Sequence, residues 1–374
     1  ALLGASAGAI GFISGLGELI GYSMRYLFGR ITDRTRSYWP MVILGYVLDI
    51  IAVPALALVG EHGWIAACLL LVVQRMGKAI KKPAKDTIMS FAASQEGAGR
   101  SFGLQELLDQ IGAFLGPVLL WLVMLGRTEA SPIRTYSLCF AVLAIPGGIT
   151  LLLLLYTRSR FPNPEQFEPE PKEYIPFRMK KSFILYIAGI SLFAFGFIDY
   201  SLIVMHISRT AAALSGVAGL ITEETLPLLY AGAMLIDAVS ALFFGFLYDR
   251  IGVRSLIFST LLSSGFAVFV FSMHSVPALL VGIALWGIGM GAQESILKAA
   301  VSSMVPKSSR ATGYGIFECS FGFFWFLGSW LMGALYDFSI PAMVAVSVAA
   351  QLLSIPLYLA SSRQKIREEQ PLHE

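Results

Sequence analysis

Gly29-Arg-Ile-Thr-Asp33-Arg34 and Gly245-Phe-Leu-Tyr-Asp249-Arg250 are two copies of one phrase, Gly-x-x-x-Asp-Arg, and each closes a long apolar run. The copies lie 216 residues apart in a chain of 374. So long a period reads as a tandem duplication of a whole half-chain rather than as a short structural repeat. A second pair of matches agrees: Gly103, Glu106 and Gly116 correspond to Gly315, Glu318 and Gly328 at an offset of 212. The apolar runs at 102–125 and 312–334 therefore occupy equivalent places in the two halves.

Composition assigns those runs to a membrane. Hydrophobic residues make up 56% of the chain, charged residues only 14%, and the mean hydropathy is +0.72; soluble domains carry about a quarter charged residues. A spanning helix needs about 20 mostly apolar residues. Eleven such runs are read at roughly 5–28, 40–60, 64–83, 102–125, 135–156, 183–207, 226–246, 253–273, 277–299, 312–334 and 340–361. They are continuous rather than alternating, so the expected class is an all-α polytopic membrane protein and not a barrel.

The net charge of +3 says little, but its placement orients the chain. With the loop at 29–39 cytoplasmic, 24 of the 27 basic residues fall on the cytoplasmic side, and only Arg127, Arg134 and Arg209 fall outside it. Basic residues favour the cytoplasmic face.

One span precedes Gly29, whereas two follow the centre of the chain before Gly245. The expectation is therefore a first helix absent ahead of Ala1, twelve in the complete protein and both termini cytoplasmic. Residues 157–182 carry five prolines and many charges, which suits an extended cytoplasmic linker. The expected organisation is 1–156 as the N-terminal helical half (helices 2–6), 157–182 as linker, 183–361 as the C-terminal half (helices 7–12) and 362–374 as a cytoplasmic tail. Cys68, Cys139 and Cys319 lie inside apolar runs at no metal-like spacing and read as small core residues.

On these residues the chain resembles the major facilitator superfamily, whose signature is Gly-x-x-x-Asp-Arg-x-Gly followed by basic residues, with a weaker copy in the second half. Here the second copy fits better, through Gly245, Asp249, Arg250, Gly252 and Arg254. The first runs Asp33-Arg34-Thr35-Arg36 and lacks the second glycine. Arg75 with Gly77 and Pro83 resembles the family's arginine-containing motif in helix 4. Gly112, Gly116 and Pro117 resemble its Gly-x-x-x-Gly-Pro helix-bend pattern, associated with antiporters. The resemblance covers essentially the whole chain and implies two pseudo-symmetric six-helix halves. The spans at 64–83, 183–207 and 277–299 would line a central cavity, and those at 5–28, 102–125, 226–246 and 312–334 the seam.

A conformational latch is expected from the repeated phrase. Gly29 and Gly245 permit close helix approach. Asp33 and Asp249, flanked by Arg34, Arg250 and Arg254, can hold the positive N-terminal end of a helix from the other half: Asp33 near Arg310 to Gly313, Asp249 near Arg100 to Gly103. Ionisable groups inside spans are functional candidates by default. Those read for substrate or proton coupling are Arg75, Asp199, Glu294, Lys298, Glu18, Asp237, Glu106, Asp109 and Glu318. Glu294 and Lys298, four apart, could instead neutralise each other. Arg75, Lys78, Lys82 and Lys85 form a basic stripe that could attract an anion or serve orientation. Asp199 has no basic neighbour on its own helix, which suits proton exchange. Asp49 receives no role.

No His-Glu-x-x-His or Gly-x-x-x-x-Gly-Lys occurs, and neither an enzyme nor a phosphate loop is expected. The resemblance implies a secondary active transporter working by alternating access, monomeric, in a bacterial inner membrane, with the lipid bilayer, a small-molecule substrate and protons as partners. No cofactor, metal or nucleic acid is expected. Proton-coupled export of a small organic molecule is the first expectation; symport of an anionic metabolite or ion and a non-transporting sensor are the alternatives.

Overall fold

The computed structural model describes residues 7–59, 63–93, 97–125, 132–167, 178–210, 226–273 and 275–369. The described residues fold into helices and contain no strand: α1 Ala7–Thr35, α2 Tyr38–Ala55, α3 Trp64–Ala93, α4 Ala98–Leu125, α5 Pro132–Val142, α6 Ala144–Arg160, α7 Lys181–Gly196, α8 Tyr200–Thr210, α9 Leu226–Ile251, α10 Ser255–Ser264, α11 Phe266–Ser272, α12 Val276–Met304, α13 Arg310–Phe338 and α14 Ile340–Glu369. Seven helical segments among them are long and apolar enough to cross a membrane. Helices satisfy their backbone internally, which hydrocarbon demands. The apolar side chains left outward, among them Ile51, Leu152, Leu235 and Trp330, are the ones a bilayer would cover.

Three of the expected runs are interrupted. The run at 135–156 divides into α5 and α6 at Leu143, and that at 253–273 into α10 and α11 at Gly265. The run at 183–207 breaks between α7 and α8, where Phe197, Ile198 and Asp199 leave the helix. The freed carbonyls there are taken up by side chains: Trp286 Nε1 donates to the Ile198 oxygen at 2.9 Å, and Ser347 Oγ to the Gly196 oxygen at 2.6 Å. A buried break is tolerable only with such partners.

The chain forms two compact units. The first comprises Ala1–Gln95, Leu115–Phe177 and Val305–Cys319. Within it α2 packs along α3 through Gly45 and Gly77, where a Cβ on either would stand 2.6 or 2.7 Å from the other's carbonyl oxygen. Asp49 of α2 pairs with Lys81 of α3, which answers the question the sequence leaves open for Asp49. The second unit comprises Glu96–Phe114, Arg178–Met304 and Ser320–Glu374. Its core is aromatic, built on Phe193, Phe197, Tyr200, Phe266 and Trp286.

The turn after each Gly-x-x-x-Asp-Arg phrase keeps its shape although its sequence changes. Gly252 has φ 63°, and Arg36, at the equivalent place 216 residues earlier, has φ 50°. A left-handed residue is needed at both, and only the second copy supplies a glycine.

Candidate functional site

The two aspartates of the repeated phrase each cap a helix. In the first unit Asp33, 2% exposed, accepts the Ala311 N–H on Oδ1 at 3.1 Å and the Thr312 N–H on Oδ2 at 2.6 Å. In the second unit Asp249 accepts the Gly99 N–H on Oδ1 at 2.7 Å and the Arg100 N–H on Oδ2 at 2.8 Å. The acceptors face the first turns of α13 and α4, whose amides have no partner within their own helix. A carboxylate there also meets the positive end of the helix dipole. Asp33 maps onto Asp249 at 216, and Ala311-Thr312 onto Gly99-Arg100 at 212, so one contact is built twice.

Glycines bring the backbones together at these crossings. A Cβ on Gly29 would land on the Ala311 carbonyl oxygen, and one on Gly245 on that of Gly99. One turn deeper, a Cβ on Gly315 would stand 2.6 Å from the Arg25 oxygen and one on Gly103 2.8 Å from the Ala241 oxygen. Arg34, Arg100, Arg250 and Arg254 are exposed. Arg310 is buried, donates to Ser90 Oγ at 3.2 Å and lies over the Phe91 ring.

Below the crossings sits a duplicated ion pair. In the first unit Glu318, 3% exposed, pairs with Arg25 and, at 3.0 Å, with Lys82. In the second, Glu106, 2% exposed, pairs with Lys298 at 3.3 Å. Lys82 and Lys298 are equivalent at 216, Glu318 and Glu106 at 212. Their surroundings differ in sign. The first pair gains a second cation, Arg25, with Asp86 in its field. Around the second, Gln110 Nε2 donates to Glu106 Oε1 at 2.9 Å and contacts Asp237 Oδ2 at 3.4 Å, while Glu294 lies in the field of both acids and of Lys298. Three carboxyl groups thus share one lysine. Asp237 is fully buried, and its Oδ1 has no hydrogen-bond partner among the described residues.

The other residues singled out in the sequence lie apart from this cluster or beside it. Asp199 is half-buried at the break before α8, where its Oδ1 accepts the Ser201 N–H at 2.9 Å as an N-cap. Arg75 is half-buried on α3, and Asp109 is exposed on α4. Gly112 and Gly116 face open space, with nothing within 4 Å of a built Cβ. The side chains of Glu18 and Pro117 lie outside the described residues. Arg25 and Gln110 have their places here without a site reading in the sequence, and Lys82, read only as part of the basic stripe, is an ion-pair partner of Glu318. The signal was available for Lys82, which stands at the repeat offset from Lys298, and for Gln110, one turn after Glu106.

A helical chain of duplicated halves, with helix-capping aspartates and ionisable groups inside apolar helices, defines a polytopic membrane transport protein. The sequence profile of the Major Facilitator Superfamily matches residues 1–223 and 220–374, and the chain belongs to that family. A protein of Mycobacterium tuberculosis known only as uncharacterised is 35% identical over 366 residues, covering 96% of this chain and 86% of that one. An uncharacterised transporter of the family from Methanocaldococcus jannaschii is 26% identical over 347 residues, covering 90% and 82%. The structure of the E. coli fucose:proton symporter superposes with a TM-score of 0.71 over 94% of this chain and 91% of that one, at 12% identity. At that identity the likeness speaks for the fold. The family and the fold are those of integral membrane secondary transporters, which act on small molecules within a bilayer.

Proposed function

We propose that this protein is a proton-coupled secondary transporter that exports a small organic molecule by alternating access. The observation that carries the reading is the unequal pair of equivalent ion bridges. Lys82–Glu318 has cations enough for its carboxylate, whereas Lys298 stands against Glu106, Asp237 and Glu294. In a medium of low dielectric that excess of negative charge needs a counter-charge, and a proton is the smallest available.

The helix crossings supply the moving part. Asp33 and Asp249 hold α13 and α4 on the side that the basic residues assign to the cytoplasm, and release of both caps would open that side. The site would then face each side of a bacterial inner membrane in turn. Anion symport, the alternative suggested by the basic stripe on α3, is the weaker reading because Lys82 of that stripe is engaged by Glu318.

The test is flux in reconstituted vesicles carrying a pH-sensitive dye. Proton movement opposite to an imposed gradient of one member of a panel of small organic molecules supports exchange. Movement in the same direction overturns export in favour of symport. Absence of flux for the whole panel overturns transport in favour of a sensor.

A further inference from the structure

On the premise of the proton-coupled transport proposed above, we infer that the second unit binds an organic cation, held between the carboxylate of Asp199 and the rings of Tyr200, Tyr230 and Trp286. The break between α7 and α8 places these groups together. Trp286 donates its indole N–H to the Ile198 carbonyl, which fixes the ring beside the break. Tyr200 packs on Trp286 and on Tyr230, each with ring centroids 5.0 Å apart.

Asp199 stands between Ile198 and Tyr200. One of its oxygens caps α8, and the other accepts nothing among the described residues. The Tyr230 hydroxyl lies in the field of Asp199, Asp237 and Glu294 together. Among the described residues neither Asp199 nor Tyr230 is bonded to a lysine or arginine, and Lys298, the base of the neighbouring cluster, is engaged with Glu106.

Unsatisfied polar atoms sit on the same elements. Tyr200 is 8% exposed, and its hydroxyl has no hydrogen-bond partner among the described residues; on α12, Gln293 is buried next to Glu294 with both its amide atoms unpartnered among those residues. A buried hydroxyl or amide left unmade is costly unless something else completes it. Carboxylates with aromatic faces and no competing base select a cation over an anion, because ring quadrupole and carboxylate both attract positive charge. An apolar cleft of about 290 Å³ between α4 and α9, lined by Gln110, Ile111, Phe114 and Met234, adjoins the carboxyl cluster and offers room for an apolar body.

Asp199 and the acids of the neighbouring cluster share the field at Tyr230, so a cation held at the one bears on the protons held at the other. A bound cation supplies the counter-charge that protons supply in its absence, so each displaces the other. That competition links the two fluxes in opposite directions.

Two ions of the same shape and opposite charge make the test. Binding of radiolabelled tetraphenylphosphonium to the purified protein is expected to be saturable and at least tenfold tighter than that of tetraphenylborate. Asp199→Asn, which keeps a capping residue, is expected to weaken tetraphenylphosphonium binding about tenfold. Tyr230→Leu should weaken it and Tyr230→Phe leave it nearly unchanged; Tyr230 is 41% exposed, so these variants can be read even if Asp199→Asn does not fold.

Equal binding of the two ions, preference for the borate, or indifference to both the Asp199 and Tyr230 changes overturns the inference. Proton-driven flux of an anion without tetraphenylphosphonium binding overturns it and leaves the transport reading standing. Saturable tetraphenylphosphonium binding without any proton flux upholds it and removes the transport reading.

Discussion

Asp33 takes the Thr312 N–H at 2.6 Å in a buried setting, whereas its counterpart Asp249 takes the Arg100 N–H at 2.8 Å while exposed. The bonds are alike, but water competes for only one of them. A charge-assisted hydrogen bond shielded from solvent contributes about 1.5–3 kcal/mol, and an exposed one less.

Asp33→Asn should therefore speed amide exchange at Ala311 and Thr312 roughly tenfold or more, while Asp249→Asn should change Gly99 and Arg100 only about threefold. Hydrogen exchange read by mass spectrometry on the reconstituted protein measures both. Equal effects would contradict the role given to burial.

The glycines divide into two kinds. Gly29 and Gly245 have a carbonyl oxygen where a Cβ would go, while Gly112 and Gly116 have nothing within 4 Å. Gly29→Ala and Gly245→Ala should each disrupt a backbone crossing and lower transport at least tenfold with expression intact. Gly112→Ala should leave transport in place and raise stability by about 0.4–1 kcal/mol, because it only removes freedom from the unfolded chain. Loss of transport in Gly112→Ala would show a helix bend that needs the glycine.

Trp286→Phe keeps the ring in the aromatic cluster but strands the Ile198 carbonyl at the break. A buried acceptor left without its donor costs about 1–3 kcal/mol. The variant should melt several degrees lower while its α-helical circular dichroism is unchanged. A melting temperature equal to that of the parent would mean that the break does not depend on this bond.

Hydropathy and repetition carry far in this chain because both are local signals. The long apolar runs, the uneven placement of arginine and lysine between them, and the pairing of Gly29 with Gly245 are all visible in the residues themselves. The break at Phe197 to Asp199 was not, since Phe197 and Ile198 are as apolar as their neighbours and the carbonyl partners Trp286 and Ser347 come from distant helices. Asp199 consequently reads as an isolated acid until its cap is seen. The partners of Glu318 were hidden for a similar reason: Arg25 reads as one of the orienting charges and Lys82 as part of a stripe for an anion or for orientation, and only packing brings them to the carboxylate. Conversely, Arg36 shows that a repeat can outlast its sequence, for the turn keeps a positive φ after the glycine has gone.

Lys82→Ala and Lys298→Ala remove equivalent lysines and should behave differently. After Lys82→Ala, Glu318 keeps Arg25, so the loss should be about 1 kcal/mol or less. After Lys298→Ala, Glu106, Asp237 and Glu294 lose the ammonium they share, and an uncompensated buried charge costs about 3–5 kcal/mol. Protons are the available replacement, and the folded variant then holds more of them than the unfolded chain. Stability falls with rising pH wherever the native state binds the extra protons. Lys298→Ala should accordingly melt well below Lys82→Ala at pH 8, and the gap should narrow at pH 5. Thermal unfolding in detergent at the two pH values measures it. A gap that stays constant would mean that Glu106, Asp237 and Glu294 do not exchange protons, and proton coupling at this cluster would have to be abandoned.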